Sequence, residues 1–439
     1  MAREELRWIL EEWFTRPLPR LIPRRLLSPR IPPDMALGVV GIRRAGKTYA
    51  LFELAQHLRE HLGKHQVVYL NFEDDRLLPL WSGILEDALS ALFQYFPVDP
   101  AAPLWLLLDE IQHVPNWQAT LRRFLDQQRA FLVFTGSSAT LTPRHLSATL
   151  VGRVLSRQIL PLSFREYLRF IGEPERSPED YRGSRRNLIL RHLEQYLQYG
   201  GFPAVVLRDD PLQKREILSA YIDSVFYRDL VERHQVRKVT ELEAFVRLLV
   251  RNTGAYFSVT KMTHTLRSLG FSISKSTVSE YLNFALEAFL IFTVEIFSHK
   301  LKNRLQYPRK IYTADPGIAN LHLFRFKTDW GQLLETAVFL ELKRRSAEVY
   351  YWKENERHEV DFVRVHAWHP VELIQVAWEL GDSRTRNREL RALERASQHL
   401  QVHRALLITR DTFGEWQSGP LQVRILPFWY WALLPPEGT

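Results

Sequence analysis

The chain has 439 residues, 46% of them hydrophobic and 25% charged, enough apolar material for about three domains with their own cores. It contains no cysteine, which excludes disulfides, thiol catalysis and cysteine-ligated metal centres. Its formal net charge of +9 carries meaning only where it is patterned along the chain.

The first segment, MAREELRWILEEW, predicts an acidic amphipathic helix and not a secretory signal. No apolar run approaches the length of a membrane span, so a cytoplasmic protein without a membrane partner is expected. Over residues 14–33, Arg16, Arg20, Arg24, Arg25 and Arg30 stand among prolines with no acid. Such an extended basic stretch suits phosphate contacts, and equally a solvated linker or a subunit contact. Residues 1–34 are therefore assigned to a helix and a basic arm. Few methionines beside abundant Arg, Leu and Pro suit a thermophile, a bias that high genomic G+C also produces.

The next segment, 35–160, carries the chemistry. LGVVGIRRAGKTYA joins an apolar strand to a helix through a G-x-x-x-x-G-K-[ST] loop. Its residues Gly41, Ile42, Arg43, Arg44, Ala45, Gly46, Lys47, Thr48 and Tyr49 are the predicted nucleotide contacts. Backbone amides of such a loop wrap a phosphate chain, Lys47 reaches the β and γ oxygens, and the Thr48 hydroxyl sits on Mg²⁺. The strand in HQVVYLNFED (65–74) ends in Glu73 and Asp74. A second, LWLLLDE (104–110), ends in Asp109 and Glu110. Asp109 is the expected water-mediated Mg²⁺ ligand and Glu110 the group that polarises the attacking water. A third, FLVFTGSSA (131–139), ends in Ser137 and Ser138, candidates to sense the γ-phosphate, although the same residues also make an ordinary Gly-Ser turn. Alternating strands and helices predict a doubly wound parallel α/β sheet with its ligand at the carboxyl ends of the strands.

Residues 161–238 read as helices, interrupted at YGGFPAVV (199–206), a hinge or a tight packing turn. Residues 257–284 have helix-turn-helix spacing, with Ser274 as N-cap and Lys275, Ser276, Thr277 and Ser279 at the start of the second helix. LIFTVEIFSHKLKN then reads as a β-wing carrying Lys300, Lys302, Arg304, Arg309 and Lys310. The module, 239–305, is expected to touch DNA. Winged helices also act as protein joints, and no arginine stands at the helix start to read guanine. From 306 to 439 the order is a helix with Glu335, VYYWKE, EVDFVRV with Asp361, VELIQVAWEL, a helix and RALLITR.

The phrases GIRRAGKT, VVYLNFED, LLLDEIQHVPNW, FTGSSATL, VGRVLSRQILPLSFREYL, YGGFPAVV, KIYTADPGIAN and ELIQVAWEL span most of the chain. Together they resemble AAA-type ATPases common in archaea that carry a C-terminal domain of uncharacterised function. The resemblance implies a P-loop core, a helical lid over the nucleotide, a winged helix and a restriction-endonuclease-like α/β domain. It places Arg153 of VGRV where the chain leaves the sheet for the lid, as a candidate to reach the γ-phosphate of its own or a neighbouring subunit. Arg122 and Arg123 compete for that role.

The last domain resembles PD-(D/E)xK nucleases, in which a helix glutamate, a strand aspartate and an E-x-K triplet collect metal. Here Leu373, Ile374 and Gln375 stand at the triplet. Glu372 is one residue off and is expected on the opposite strand face unless a bulge re-aims it. Glu335 and Asp361 remain, so a docking or DNA-backbone platform is expected in place of a cutting site. The combined expectation is an Mg²⁺-dependent ATPase, a homo-oligomer for which a hexamer is one form, that remodels or translocates on duplex or branched DNA in repair or recombination. A slow nucleotide-controlled switch and an ATP-regulated nuclease are the alternatives.

Overall fold

The computed structural model describes residues 2–137, 150–321, 328–345, 348–355, 358–381 and 383–435; Ser138 lies outside them. The chain divides into two compact units, residues 1–159 with 287–289, and the remainder.

The first unit begins with helix α1 (Ala2–Thr15) and continues β1 (Ala36–Val40), α2 (Lys47–Leu62), β2 (Val67–Asn71), α3 (Ile84–Tyr95), β3 (Trp105–Asp109), α4 (Trp117–Asp126), β4 (Phe131–Gly136) and β5 (Val154–Gln158). All strand pairs are parallel, in the order β2-β3-β4-β1-β5. Every residue of β1 and β3 is buried, which is why their sequences are continuous apolar runs without alternation. The basic arm packs on this core. Glu53 accepts the backbone N–H of Arg24 and Arg25 at 3.0 and 2.9 Å, and the Arg24 guanidinium donates to the Ala45 carbonyl at 2.8 Å. Arg16 pairs with Glu12 at 3.3 Å. The expected basic surface is thus partly engaged within its own unit.

The second unit opens with helices α5 (Phe164–Phe170), α6 (Arg186–Tyr199), α7 (Pro203–Val206) and α8 (Pro211–Ser224), the last running into a π-helical stretch, Val225–Glu232. The helix-turn-helix region follows as α9 (Val239–Arg251), β6 (Tyr256–Phe257), α10 (Val259–Ser268), α11 (Lys275–Glu287), β7 (Ile291–Val294), a short helix α12 (Leu301–Gln306) and β8 (Arg309–Thr313). The small antiparallel sheet has the order β6-β8-β7, a winged-helix arrangement. It needs β8, so the module extends past residue 305.

The polypeptide continues through α13 (Pro316–Leu321), α14 (Trp330–Arg344), β9 (Glu348–Lys353), β10 (Glu359–His366), β11 (His369–Ala377), α15 (Ser383–Leu400), β12 (Arg404–Thr409), β13 (Gly414–Ser418), β14 (Leu421–Pro427) and α16 (Phe428–Leu433). A mixed sheet in the order β13-β14-β12-β11-β10-β9 forms the C-terminal domain, its core built on one side by α15 residues such as Leu393 and Ala396 against Val363 and Leu407.

The break at YGGFP is a packing turn. Asp315, buried, accepts the Gly201 N–H at 2.7 Å and the Gly317 N–H at 2.8 Å, so the glycine phrase and ADPG meet. Leu162 closes the turn from the other side, its N–H donating to the Gly201 carbonyl at 2.7 Å. Burial raises the Asp315 carboxyl to about 7 against the opposing backbone hydrogen bonds. A folded-state pKa above the unfolded value near ~3.9 favours folding fully only below that value, and the benefit is lost as pH rises through the folded pKa. We therefore expect the stability difference between wild type and Asp315→Asn to fall by on the order of 3 kcal/mol from about pH 4 to about pH 7.5 in matched urea titrations. A pH-independent difference would remove Asp315 as the source.

Candidate functional site

At the carboxyl end of β1 the chain turns through residues 41–46 into α2. Gly46 has φ 102°, a backbone conformation that glycine adopts without the penalty a Cβ brings. Lys47 is buried, its ammonium donating to the Gly41 and Ile42 carbonyls at 3.1 and 3.4 Å and lying 3.6 Å from Glu110 Oε1. Thr48 Oγ1 donates to Asp109 Oδ2 at 2.8 Å. Arg43 donates to Glu73 Oε1 at 3.0 Å, which ties the loop to the acidic end of the β2 segment. Ile42 and Ala45 are buried, Arg44 holds a left-handed φ of 66°, and Tyr49 is exposed.

The two acids are held by different partners. Asp109 Oδ1 accepts from Thr135 Oγ1, and Oδ2 accepts from Tyr69 OH at 2.8 Å as well as from Thr48. Burial pushes the Asp109 carboxyl up, with the Glu110 charge adding to it against these hydrogen bonds. Glu110, also buried, would be raised by burial alone, but the Lys47 ammonium and the Gln112 amide outweigh that and hold it below the ordinary carboxylate range. Gln112 Nε2 donates to Glu110 Oε2 at 2.6 Å, the Ser137 N–H reaches the same oxygen at 3.2 Å, and the Glu110 N–H donates to Thr135 Oγ1 at 2.9 Å. The fold therefore brings Lys47, Thr48, Asp109, Glu110 and Ser137 together. Ser137 enters through its backbone, which orients Glu110.

Tyr69, Gln112 and Thr135 were missed by sequence reasoning. Thr135 left one trace, a hydroxyl in the otherwise apolar FLVF run at the end of β4. Tyr69 left none, because its role depends on the β2–β3 register, Tyr69 opposite Leu107 and Asn71 opposite Asp109.

Arg153 lies elsewhere. Its carbonyl accepts the Ala36 N–H at 2.9 Å and its side chain pairs with Asp126. It precedes β5, whose Val154 sits opposite Ala36 at the amino end of β1. The phosphate loop follows the carboxyl end of that strand, about 16 Å away along five residues. Reaching the γ-phosphate of its own loop, one of the two expected uses, conflicts with this placement. Arg122 and Arg123 on α4 pair with Asp126 and Glu86.

In the second unit Ser274 caps α11, accepting the Thr277 N–H at 3.1 Å. Lys275 and Ser276 are exposed and Thr277 is half-buried. The expected β-wing is corrected: Lys302 and Arg304 lie on helix α12 and Lys300 just before it, since the connection 295–308 is too long for a tight hairpin turn. Arg304 lies over the Trp368 ring at 5.2 Å. Lys310 is buried and leaves the surface cluster altogether. Of the predicted remnant nuclease residues, Asp361 and Gln375 are opposite one another on β10 and β11, the Asp361 N–H donating to Gln375 Oε1 at 3.1 Å and Gln375 Nε2 donating to Glu389 at 2.7 Å. Glu335 on α14 joins Asp361 through Lys310. Glu372 pairs with Arg364 at 3.1 Å, away from that cluster, as strand alternation requires.

A loop of this spacing between a central strand and its helix, with an acid from a nearby parallel strand on the loop threonine, defines a P-loop nucleotide-binding core of the AAA type. A family profile described as an AAA domain matches residues 34–168, and profiles of two domains of unknown function, DUF8612 and DUF4143, match residues 190–329 and 330–430. The chain is 34% identical over 411 residues to the uncharacterized protein MJ1544 of Methanocaldococcus jannaschii, an alignment covering 91% of this chain and 89% of that one. It is 29% identical over 351 residues to an uncharacterized protein of Haemophilus influenzae, covering 80% and 84%. Among solved structures, the Walker-type ATPase PABY2304 of Pyrococcus abyssi is similar with a TM-score of 0.45 and 14% identity, over 73% of this chain and 95% of that one. The chain belongs to the AAA-type P-loop ATPase family, with a C-terminal DUF4143 domain. No described helix is long and apolar enough to cross a membrane.

Proposed function

We propose that this protein is an oligomeric, Mg²⁺-dependent ATPase whose turnover remodels or translocates duplex or branched DNA, with a role in repair or recombination. The observation that carries the reading is the meeting of Lys47, Thr48, Asp109 and Glu110 at one end of the parallel sheet. Thr48 and Asp109 offer only oxygen donors, a set that suits Mg²⁺. When bound there the ion neutralises charge on the phosphates. Lys47 passes from the carbonyls and Glu110 to the phosphate oxygens, and Glu110, kept ionised, accepts the hydrogen bond of the attacking water. DNA contact is assigned to the exposed start of α11, with Lys275, Ser276 and Thr277, and to Lys300, Lys302 and Arg304.

A second reading has its own support. Arg153 stands at the far end of β1 from its own loop, so a lone subunit lacks that cation at the γ-phosphate and hydrolyses slowly, as a nucleotide switch. One set of rate measurements separates the two. Junction and duplex DNA are expected to raise ATP turnover several-fold. Arg153→Ala is expected to lower turnover at least tenfold, with part of the rate restored by mixing in Lys47→Ala subunits, which supply Arg153 to a neighbour's intact loop. Turnover indifferent to every DNA and to mixing would leave the switch reading in place.

A further inference from the structure

A buried lysine, Lys310, gathers three carboxylates of the C-terminal domain around its ammonium. Lys310, on the winged-helix strand β8, is 2% exposed. Its ammonium lies 2.7 Å from Glu359 Oε1, 2.9 Å from Asp361 Oδ1 and 3.2 Å from Glu335 Oε1. An ammonium has three N–H donors, and three carboxylates from β10 and α14 meet them. The carboxylates are themselves held in place: Tyr312 OH donates to Glu335 Oε1 at 2.6 Å, and Asp361 Oδ2 accepts the Val376 N–H at 3.0 Å. By the resemblance to PD-(D/E)xK nucleases, Leu373 and Gln375 stand where that pattern has the acid and the lysine of its E-x-K triplet. Surrounding charge reinforces the ammonium, since Asp361, Glu335 and Glu359 raise Lys310 well above its ordinary range against the opposing effect of burial.

These residues do not fit a divalent ion. Such an ion would have to sit beside an ammonium already bonded to each carboxylate it needs, at a separation where like charges repel strongly in a buried site. We propose that Lys310 is a tethered substitute for the metal, converting a nuclease-like centre into a pin that fixes the winged-helix sheet to the C-terminal sheet. The backbone reinforces the joint. Phe297 donates its N–H to the Tyr351 carbonyl at 2.7 Å and Tyr351 donates to the Glu295 carbonyl at 2.9 Å. The two modules therefore travel as one body. This inference rests on the order of elements in the C-terminal domain and is independent of the ATP and DNA readings.

The test is Mn²⁺ binding by full-length protein without nucleotide, followed by calorimetry and by melting temperature. Wild type and Asp361→Asn should bind Mn²⁺ alike; the exposed His57, Glu60 and His61 group on α2 contributes equally to both. Lys310→Ala should gain one Mn²⁺ site at least tenfold tighter than anything in wild type and melt at higher temperature when Mn²⁺ is added, and Lys310→Ala/Asp361→Asn should lose both gains. Wild-type binding that Asp361→Asn removes, or Lys310→Ala binding no better than wild type, overturns the proposal. Where Lys310→Ala does not fold, Lys310→Met combined with Glu335→Gln, Glu359→Gln and Asp361→Asn removes the unpaired charge. Recovery of folding then supports the pairing, and failure to recover overturns it.

Discussion

Glu110→Gln is expected to lower the ATP turnover number by roughly a hundred- to a thousandfold while ATP binds more tightly than to wild type. The first effect follows from the position of Glu110, a buried carboxylate kept ionised beside Lys47 and oriented by Gln112 and the Ser137 N–H. A glutamine retains the shape and one hydrogen-bond acceptor but cannot take up charge from a polarised water. The second effect follows from the ion pair. In the structure Lys47 lies 3.6 Å from Glu110, and to grip phosphate it must give up that attraction. Removing the negative charge lifts this competition, worth on the order of 1 kcal/mol, about fivefold in affinity. Turnover and equilibrium binding of a fluorescent ATP analogue, measured with Mg²⁺, separate the two. Lys47→Ala provides the contrast, losing turnover and affinity together. Equal turnover in wild type and Glu110→Gln would end the assignment of Glu110 as the water-polarising group.

Gly200→Ala is expected to destabilise the second unit by on the order of 4 kcal/mol or more. A Cβ built there lies 1.6 Å from Asp315 Oδ1, and φ is 77°. Asp315 cannot step aside, because its two oxygens accept the Gly201 and Gly317 N–H groups. Gly172→Ala isolates the backbone contribution. That glycine has φ 79° and nothing within 4 Å of the added carbon, so its cost is the left-handed conformation alone, about 1–2 kcal/mol. Urea unfolding of both variants gives the comparison, and a Gly200→Ala cost no larger than that of Gly172→Ala would show that the turn relaxes around the new methyl.

Features set by short spacing were legible in the sequence. The phosphate loop, the strand ending in Asp109 and Glu110, the Ser274 cap and the helix-turn-helix all depend on residues a few positions apart, and each is found in the structure. What depends on register or on distant elements was not. Thr135 and Tyr69 act on Asp109 across β3 from both sides, a relation that exists only once strand order is known. Lys310 was read with its neighbours as surface charge. The run 300–310 contains five basic residues and no acid, and nothing local distinguishes the last of them. Its inward direction comes from the pairing of β8 with both β6 and β7, which buries four of its five residues. Arg153 was expected where the chain leaves the sheet, whereas it precedes β5, and that it stands at the amino end of β1 follows only from β5 lying parallel to β1.

The bridge between Ile296 and Tyr351 also has a bearing on self-association. An outermost strand with free amides and carbonyls invites another chain to add itself, the usual origin of runaway sheet growth. At Tyr351 the outer rim of β9 is already satisfied from within the same polypeptide, through the amide and carbonyl that meet Glu295 and Phe297. The opposite rim is β13, a five-residue segment whose side chains are largely exposed and include Glu415, a short, charged border poorly suited to such recruitment. Loosening the connection that precedes β8 would therefore uncover an adhesive border, and clumping would be an early sign of it.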